Sequence, residues 1–278
     1  MNDDPLPRFA APPVNEVVLG IQSDKLALAT PYLGIYWLDI RDRYPEVEVH
    51  PALDPVTERF GSQPQTIGPA LGLRIVERPE TPRCWFVDAQ GSRLIQLQQD
   101  RFLHNWRRTG DGDTYPHYDA VRGTFVEEYR GLQKFVDRQQ GRAGALSPDW
   151  CELTYINHLP QGQGWNTLGE LHQVFTVVAR PSGELLPQPD FGELALAYSI
   201  TNDGGEPIGR LHTSVRIAVR RMDGAPLLRF ELTARGLPSD PSLEGVLSFM
   251  DRAHRWIVQA FTDLTTPSMH AIWRREDG

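Results

Sequence analysis

The chain has 278 residues, 40% of them apolar, and 28 Lys and Arg against 36 Asp and Glu give a net charge of −8. That much apolar material excludes a disordered chain, and the acidic balance excludes a general nucleic-acid coat, which needs clustered Lys and Arg. At roughly 150 residues per domain the length suggests two units.

Met1 to Val14 is Pro-rich with two Asp and no apolar run, so it does not read as a signal peptide. No segment approaches the roughly 18 continuous apolar residues of a membrane span. Cys84 and Cys151 are the only cysteines, without the close spacing of a zinc or redox motif, and both have apolar neighbours. The expectation is a soluble cytoplasmic protein with two buried free thiols, no metal and no cofactor.

Val14 to Gln22 alternates and carries β-branched residues, which predicts an opening strand. Tyr32 to Tyr44 has helical spacing, with Thr30 as a cap, Pro31 at the first helical position and Pro45 beyond its end. Pro51 to Pro82 is Pro- and Gly-rich, and only short irregular pieces with one edge strand are expected there. Arg83 to Asp88 and Arg93 to Trp106 read as a hairpin with a long second strand. Gly110 to Pro116 is a loop, and His117 to Gln140 is a helix with Tyr118, Val121, Phe125, Leu132, Phe135 and Val136 on one side.

The pattern then restarts. Trp150 to Leu159 is a strand and Leu168 to Val174 a short helix. Phe191 to Ile200, Gly209 to Arg220 and Pro226 to Arg235 are strands. A long helix starts after Ser239-Asp240-Pro241 and stops at Thr266-Pro267, where Thr266 can cap a last short helix. Residues 14–140 and 150–275 thus share one element order. The predicted fold class is α+β, a single domain over 1–278: a pseudo-duplicated antiparallel sheet with two long helices on one face. At the level of topology it resembles the helix-grip and TATA-binding-protein arrangements, which implies nothing about function.

A polar sheet face follows from alternation. Pairing Arg221 with Pro226 aligns Val219 with Leu228, Ile217 with Phe230 and Val215 with Leu232 on the apolar side. The other side then sets Arg216 against Glu231, Ser214 against Thr233 and His212 against Arg235, with Arg210 and Arg229 nearby. Gln96, Gln98, Asp100 and His104 form one side of their strand, and Glu152, Thr154 and His158 one side of theirs. Such a face is also what an ordinary solvated sheet presents, with cross-strand pairs each contributing about 0.2–1 kcal/mol.

Two further chemistries compete. Asp100, His104, Glu152, His158 and His212 have the ligand types of a metal-assisted hydrolase, although no HExxH spacing is present. Trp106, Arg107 and Arg108 offer a base-stacking and phosphate contact for single-stranded nucleic acid. There is no GxSxG and no Walker motif, and Gly110-Asp111-Gly112-Asp113 lacks the remaining ligands of a calcium loop. Asp263, Thr265, Thr266 and His270 form a polar corner that either closes the helix break or reaches one end of the polar face.

Several segments carry a resemblance: Val14 to Gly20, Pro82 to Phe86, Leu94 to Gln98 with Arg101-Phe102, and His104 to Arg107. Cys151 to His158, Glu231-Leu232-Thr233-Ala234-Arg235-Gly236 and Phe261-Thr262-Asp263-Leu264-Thr265-Thr266-Pro267 with His270 and Trp273 continue it. Together, from about Pro12 to Arg274, they resemble a sporadically distributed bacterial family of about 250–280 residues with no assigned activity. The resemblance implies one bacterial cytoplasmic unit and carries no catalytic residue over.

The leading expectation is a non-enzymatic binding module. Its polar sheet face takes a small anionic ligand or a protein partner through Gln96, Gln98, Asp100, His104, Arg107, His158, Arg210, His212, Arg216, Glu231 and Arg235.

Overall fold

The computed structural model describes residues 5–24, 26, 28–55, 58, 82–110, 112–179, 185–220 and 223–276. Most of Pro51 to Pro82, with the irregular pieces and edge strand expected there, and Asp111 of the acidic loop lie outside the described residues.

The chain runs through β1 (Arg8–Phe9), β2 (Val14–Gln22), α1 (Thr30–Ile40), β3 (Glu46–His50), β4 (Arg83–Val87), β5 (Arg93–Gln98), β6 (Arg101–Arg107) and α2 (His117–Gln140). It continues with β7 (Trp150–Pro160), a 3₁₀ turn (Leu168–Glu170), α3 (Leu171–Val174), β8 (Glu193–Thr201), β9 (Pro207–Val219) and β10 (Pro226–Gly236). It closes with α4 (Leu243–Leu264), α5 (Pro267–Ile272) and β11 (Arg275–Glu276). Among the described residues nine strands make one antiparallel sheet in the order β3-β4-β5-β6-β2-β7-β10-β9-β8, and β1 pairs with β11 as a separate clasp. The fold is therefore α+β, with strands of both halves in one sheet. Among the described residues no helix is long and apolar enough to cross a membrane.

The helices cover one face of this sheet. In α2 the buried side chains Tyr118, Val121, Phe125, Tyr129, Leu132, Phe135 and Val136 repeat every three or four residues, so the stripe stays on one side. Phe125 meets Phe102 of β6, and Phe261 of α4 stacks on Phe230 of β10, with ring centroids 6.1 and 5.9 Å apart. Ser242 caps α4 by accepting from the Gly245 amide at 3.1 Å, and Thr266 accepts from the Met269 amide at the start of α5. For α1 the expected Thr30 cap is replaced by Ala29, which makes no side-chain hydrogen bond.

Gly209 and Gly236 oppose each other across β9 and β10. A Cβ on Gly236 would come within 2.4 Å of both the Ile208 carbonyl oxygen and Phe249 Cε2, so the two glycines let α4 seat Phe249 directly on the backbone.

Two expected registers differ from the structure. Pro226 pairs with Val219, not Arg221, so Leu228 meets Ile217 and Phe230 meets Val215. The slip is two residues; because side chains alternate with period 2, every face is kept and only the partners change. Arg216 consequently opposes Arg229, Ser214 opposes Glu231, and His212 opposes Thr233.

The second correction changes faces. Arg93 to Trp106 is not one strand but the hairpin β5–β6, turning between Gln98 and Arg101. The turn inverts the alternation after Asp100. Gln96 and Gln98 therefore share a face with Arg101, Leu103, Asn105 and Arg107, while His104 falls on the helix side between Leu19 and Ile95.

The two outer strands differ. β3 is five residues long and carries Glu46, Glu48 and His50, whereas β8 is nine residues long with Glu193 as its one charge.

Candidate functional site

The polar sheet face is not open at its centre: Leu103, Asn105, Thr154 and Thr233 are each 5% exposed or less. Many of its charged groups are engaged with one another. Arg235 pairs with Glu152, and Arg229 with Glu231. The hydroxyls of Thr154 and Thr233 hydrogen-bond at 2.9 Å. Glu58 reaches β9, 2.6 Å from His212 Nε2 and 3.5 Å from Arg210 Nε. Burial raises the Glu58 carboxyl, but the His212 hydrogen bond and the charges of His212 and Arg210 outweigh it and hold the group below the usual carboxylate range.

The other half of this face is a hydrogen-bond network. Gln96 accepts from Arg83 and donates to Asn105, which donates in turn to Glu16. Gln98 exchanges two bonds with the Leu53 backbone and donates to Asp100 in the β5–β6 turn. Arg101, absent from the expected set, is buried and donates to Gln22 and to the Asp54 carbonyl. Arg107 donates to the Gly91 carbonyl at 2.7 Å. Gln96, Gln98, Arg107, His158, Arg210, His212, Arg216, Glu231 and Arg235 thus do share one face.

His104 does not. It is fully buried on the helix side with both ring nitrogens unpaired, and burial, then the charge of Arg93, depresses it to about 3. The hydrolase set is dispersed by the same geometry. His104 faces away from Glu152 and His158, which stand six residues apart on β7, about 20 Å along a strand. Among the described residues no three His, Cys, Asp or Glu side chains form a metal-sized group. The nucleic-acid trio is split as well: Trp106 is buried against Tyr115, 5.5 Å between ring centroids, while Arg107 points to the opposite face.

The polar corner closes the helix break. Thr265 donates to the Phe261 carbonyl and meets His270 Nε2 at 2.9 Å, and Thr266 donates to the Gln173 carbonyl. Thr176 donates to the Asp263 carbonyl, tying α3 to the end of α4. Cys84 and Cys151 are free thiols, Cys84 half-buried and Cys151 buried, and burial pushes both thiols up.

A large cavity lies on the helix side, over the sheet centre. It measures about 1030 Å³ and is bounded by residues Pro5 to Val14, the first turn of α2, the middle of α4 and strands β7 and β10. Ile257, Val258, Phe261 and Leu232 give it apolar walls. On β7, alternation turns Tyr155 and Asn157 to this side. The Tyr155 hydroxyl bonds the Tyr115 hydroxyl at 2.9 Å and His254 Nδ1 at 3.1 Å, so two phenols and an imidazole form a chain.

Tyr118 stacks on His254 with ring centroids 4.0 Å apart and donates to Asp251, which also takes two bonds from Arg122. These contacts lock α2 to α4. Burial lowers His254 to about 4 against the pull of Asp119 and Asp251, and burial, reinforced by Tyr115, raises Tyr155 well above the phenol range. All three groups of the chain are therefore neutral near pH 7. His117, also on the lining, holds φ 66°, a left-handed conformation that costs a non-glycine residue energy and recurs at functional sites.

Sequence reasoning missed this constellation because its members come from a loop, a strand and two helices. The one available signal was Tyr155 and Asn157 on the helix-facing side of a strand otherwise apolar there. No family model, curated protein or solved structure matches the chain.

Proposed function

We propose that the protein is a non-enzymatic binding module that holds an uncharged, largely apolar small molecule in the cavity between α2 and α4. The observation that carries this reading is the Tyr115–Tyr155–His254 chain at the floor of a cavity of about 1030 Å³ that has apolar walls. Apolar walls with few convergent polar groups are what small-molecule sites present, the walls supplying affinity and the polar groups orientation. The charges on the lining cancel in kind, Arg8 and Arg255 against Asp119 and Glu276, which disfavours a strongly charged ligand.

Binding fits better than acid–base catalysis. A histidine at about 4 is a weak base and phenols raised well above their range are weak acids, whereas a catalyst places such groups near working pH.

Three wider readings belong to the same proposal. The first strands of the two halves, β2 and β7, lie side by side, and each is flanked by the last strand of its own meander, β6 or β10. That order supports a pseudo-duplicated unit of the helix-grip or TATA-binding-protein kind, folded as one domain. The resemblance to the sporadically distributed bacterial family, from about Pro12 to Arg274, supports one bacterial unit without assigning residue roles. The two free thiols support a reducing, cytoplasmic setting.

Nile red, an uncharged apolar fluorophore, tests the central claim. Titrating the full chain should give saturable, blue-shifted emission. Val258→Trp, which fills the cavity from α4, should weaken binding at least about tenfold while leaving the circular dichroism spectrum unchanged. Equal affinity in a folded Val258→Trp variant would refute the assignment.

A further inference from the structure

We infer that the sheet face opposite the helices carries a second site, an anion site for a phosphoryl group, formed by Arg108, His158, Arg216 and Arg229. The expected anion site lay along the whole polar face, but one end of that face is neutralised internally, by Glu58 beside Arg210 and His212 and by Glu152 on Arg235. At the other end the register lines up His158 of β7, Arg229 of β10 and Arg216 of β9 in one row on one face. Setting Arg216 directly opposite Arg229 is destabilising on its own, because like charges across a strand pair repel. An anion between them reverses the sign of that interaction.

Among the described residues, local carboxylates neutralise only one cation of the row. Glu231 is taken by Arg229, and Asp223 by Arg220 beyond the end of β9. Glu193 stands opposite Arg216 in register without forming an ion pair, and Arg216 remains exposed. Burial raises the Glu16 carboxyl on neighbouring β2, weakening it as a counter-charge. Arg108, whose amide bonds the Asn15 carbonyl beside the start of β2, has a buried Nε with no hydrogen-bond partner. Burial and then the charges of Arg229, Arg108 and Arg220 lower His158 to about 4.

Three guanidinium groups, each a planar fork of donors, match the several oxygens and double charge of a phosphoryl group better than a lone carboxylate. The neutral imidazole adds one further donor. Both this site and the cavity ligand could bind at once, since they lie on opposite faces of the sheet.

Titration of the full chain with inorganic phosphate, followed by calorimetry and by NMR of the His158 ring, tests the site. Saturable binding should raise the His158 pKa from about 4, because a neighbouring anion favours the imidazolium. Arg216→Gln and Arg108→Gln should each weaken phosphate about tenfold, the worth of one charge-assisted hydrogen bond, and leave Nile red binding unchanged. His212→Gln, at the neutralised end, should leave phosphate affinity as it is. A parallel titration with glycerol phosphate shows whether a monoester or the free ion is the better ligand. A non-saturable response, or wild-type phosphate affinity in Arg216→Gln, would overturn the inference.

Discussion

His104 shows what one misplaced polar group does to a core. An imidazole buried without a hydrogen bond costs about 1–3 kcal/mol, yet stays tolerable because it is neutral. Its pKa is depressed to about 3 in the fold and returns to about 6.5 on unfolding. As pH falls below 6.5 the unfolded chain takes up a proton that the folded one refuses, so stability present above 6.5 is lost progressively toward 3. His158 and His254, both at about 4, act in the same direction between 6.5 and 4. His104→Leu removes the largest of these contributions. The variant should be at least as stable as wild type at pH 7, and should lose about 3 kcal/mol less between pH 7 and pH 4, measured by urea denaturation. Parallel pH profiles for the two proteins would contradict this account.

At the scale of elements, the glycine pair under α4 sets how closely helix and sheet approach. Gly236→Ala must push away either the Ile208 carbonyl or Phe249, and neither is the free end of a flexible side chain. The expected cost is about 1–3 kcal/mol, readable as a lower urea midpoint with an unchanged slope. Gly131→Ala, where a Cβ meets nothing within 4 Å, is the matched control and should stabilise helix α2 by about 1 kcal/mol. Long periodic segments were legible in the sequence: Val14 to Gln22 and His117 to Gln140 form their elements with the expected bounds, and the Thr266 cap follows from chemistry local to its turn. Registers were less legible. The β9–β10 slip preserves alternation, so no hydrophobic pattern can detect it, and a two-residue turn of Gln99 and Asp100 carries no glycine to mark the end of β5.

At the scale of the molecule, the sheet separates two chemistries. Charges and amides face one side and are largely satisfied there, while the helix side holds the apolar core and the cavity with its neutral polar floor. The polar face was legible because alternation predicts it. Its internal pairing was not, since Glu58, Leu53 and Asp54 arrive from a segment without periodicity. The cavity was not legible at all, because its chain of Tyr115, Tyr155 and His254 exists only once a loop, β7 and α4 are brought together.

The unequal outer strands bear on how the protein behaves when concentrated. Between Leu194 and Thr201, β8 has no lysine, arginine or proline, and among the described residues it pairs with a strand on one side only, with Arg252 donating to the Thr201 carbonyl at its end. Phe191 at 72% and Tyr198 at 37% exposure lie along the same margin. Such a margin is a template on which a second sheet can extend the first, the hazard that charged or short edge strands avert. The chain should therefore associate reversibly as concentration rises, although its net charge of −8 opposes precipitation. Ala197→Lys, which places a charge midway along that edge, should keep light scattering at the monomer value over a wider concentration range without altering Nile red or phosphate binding.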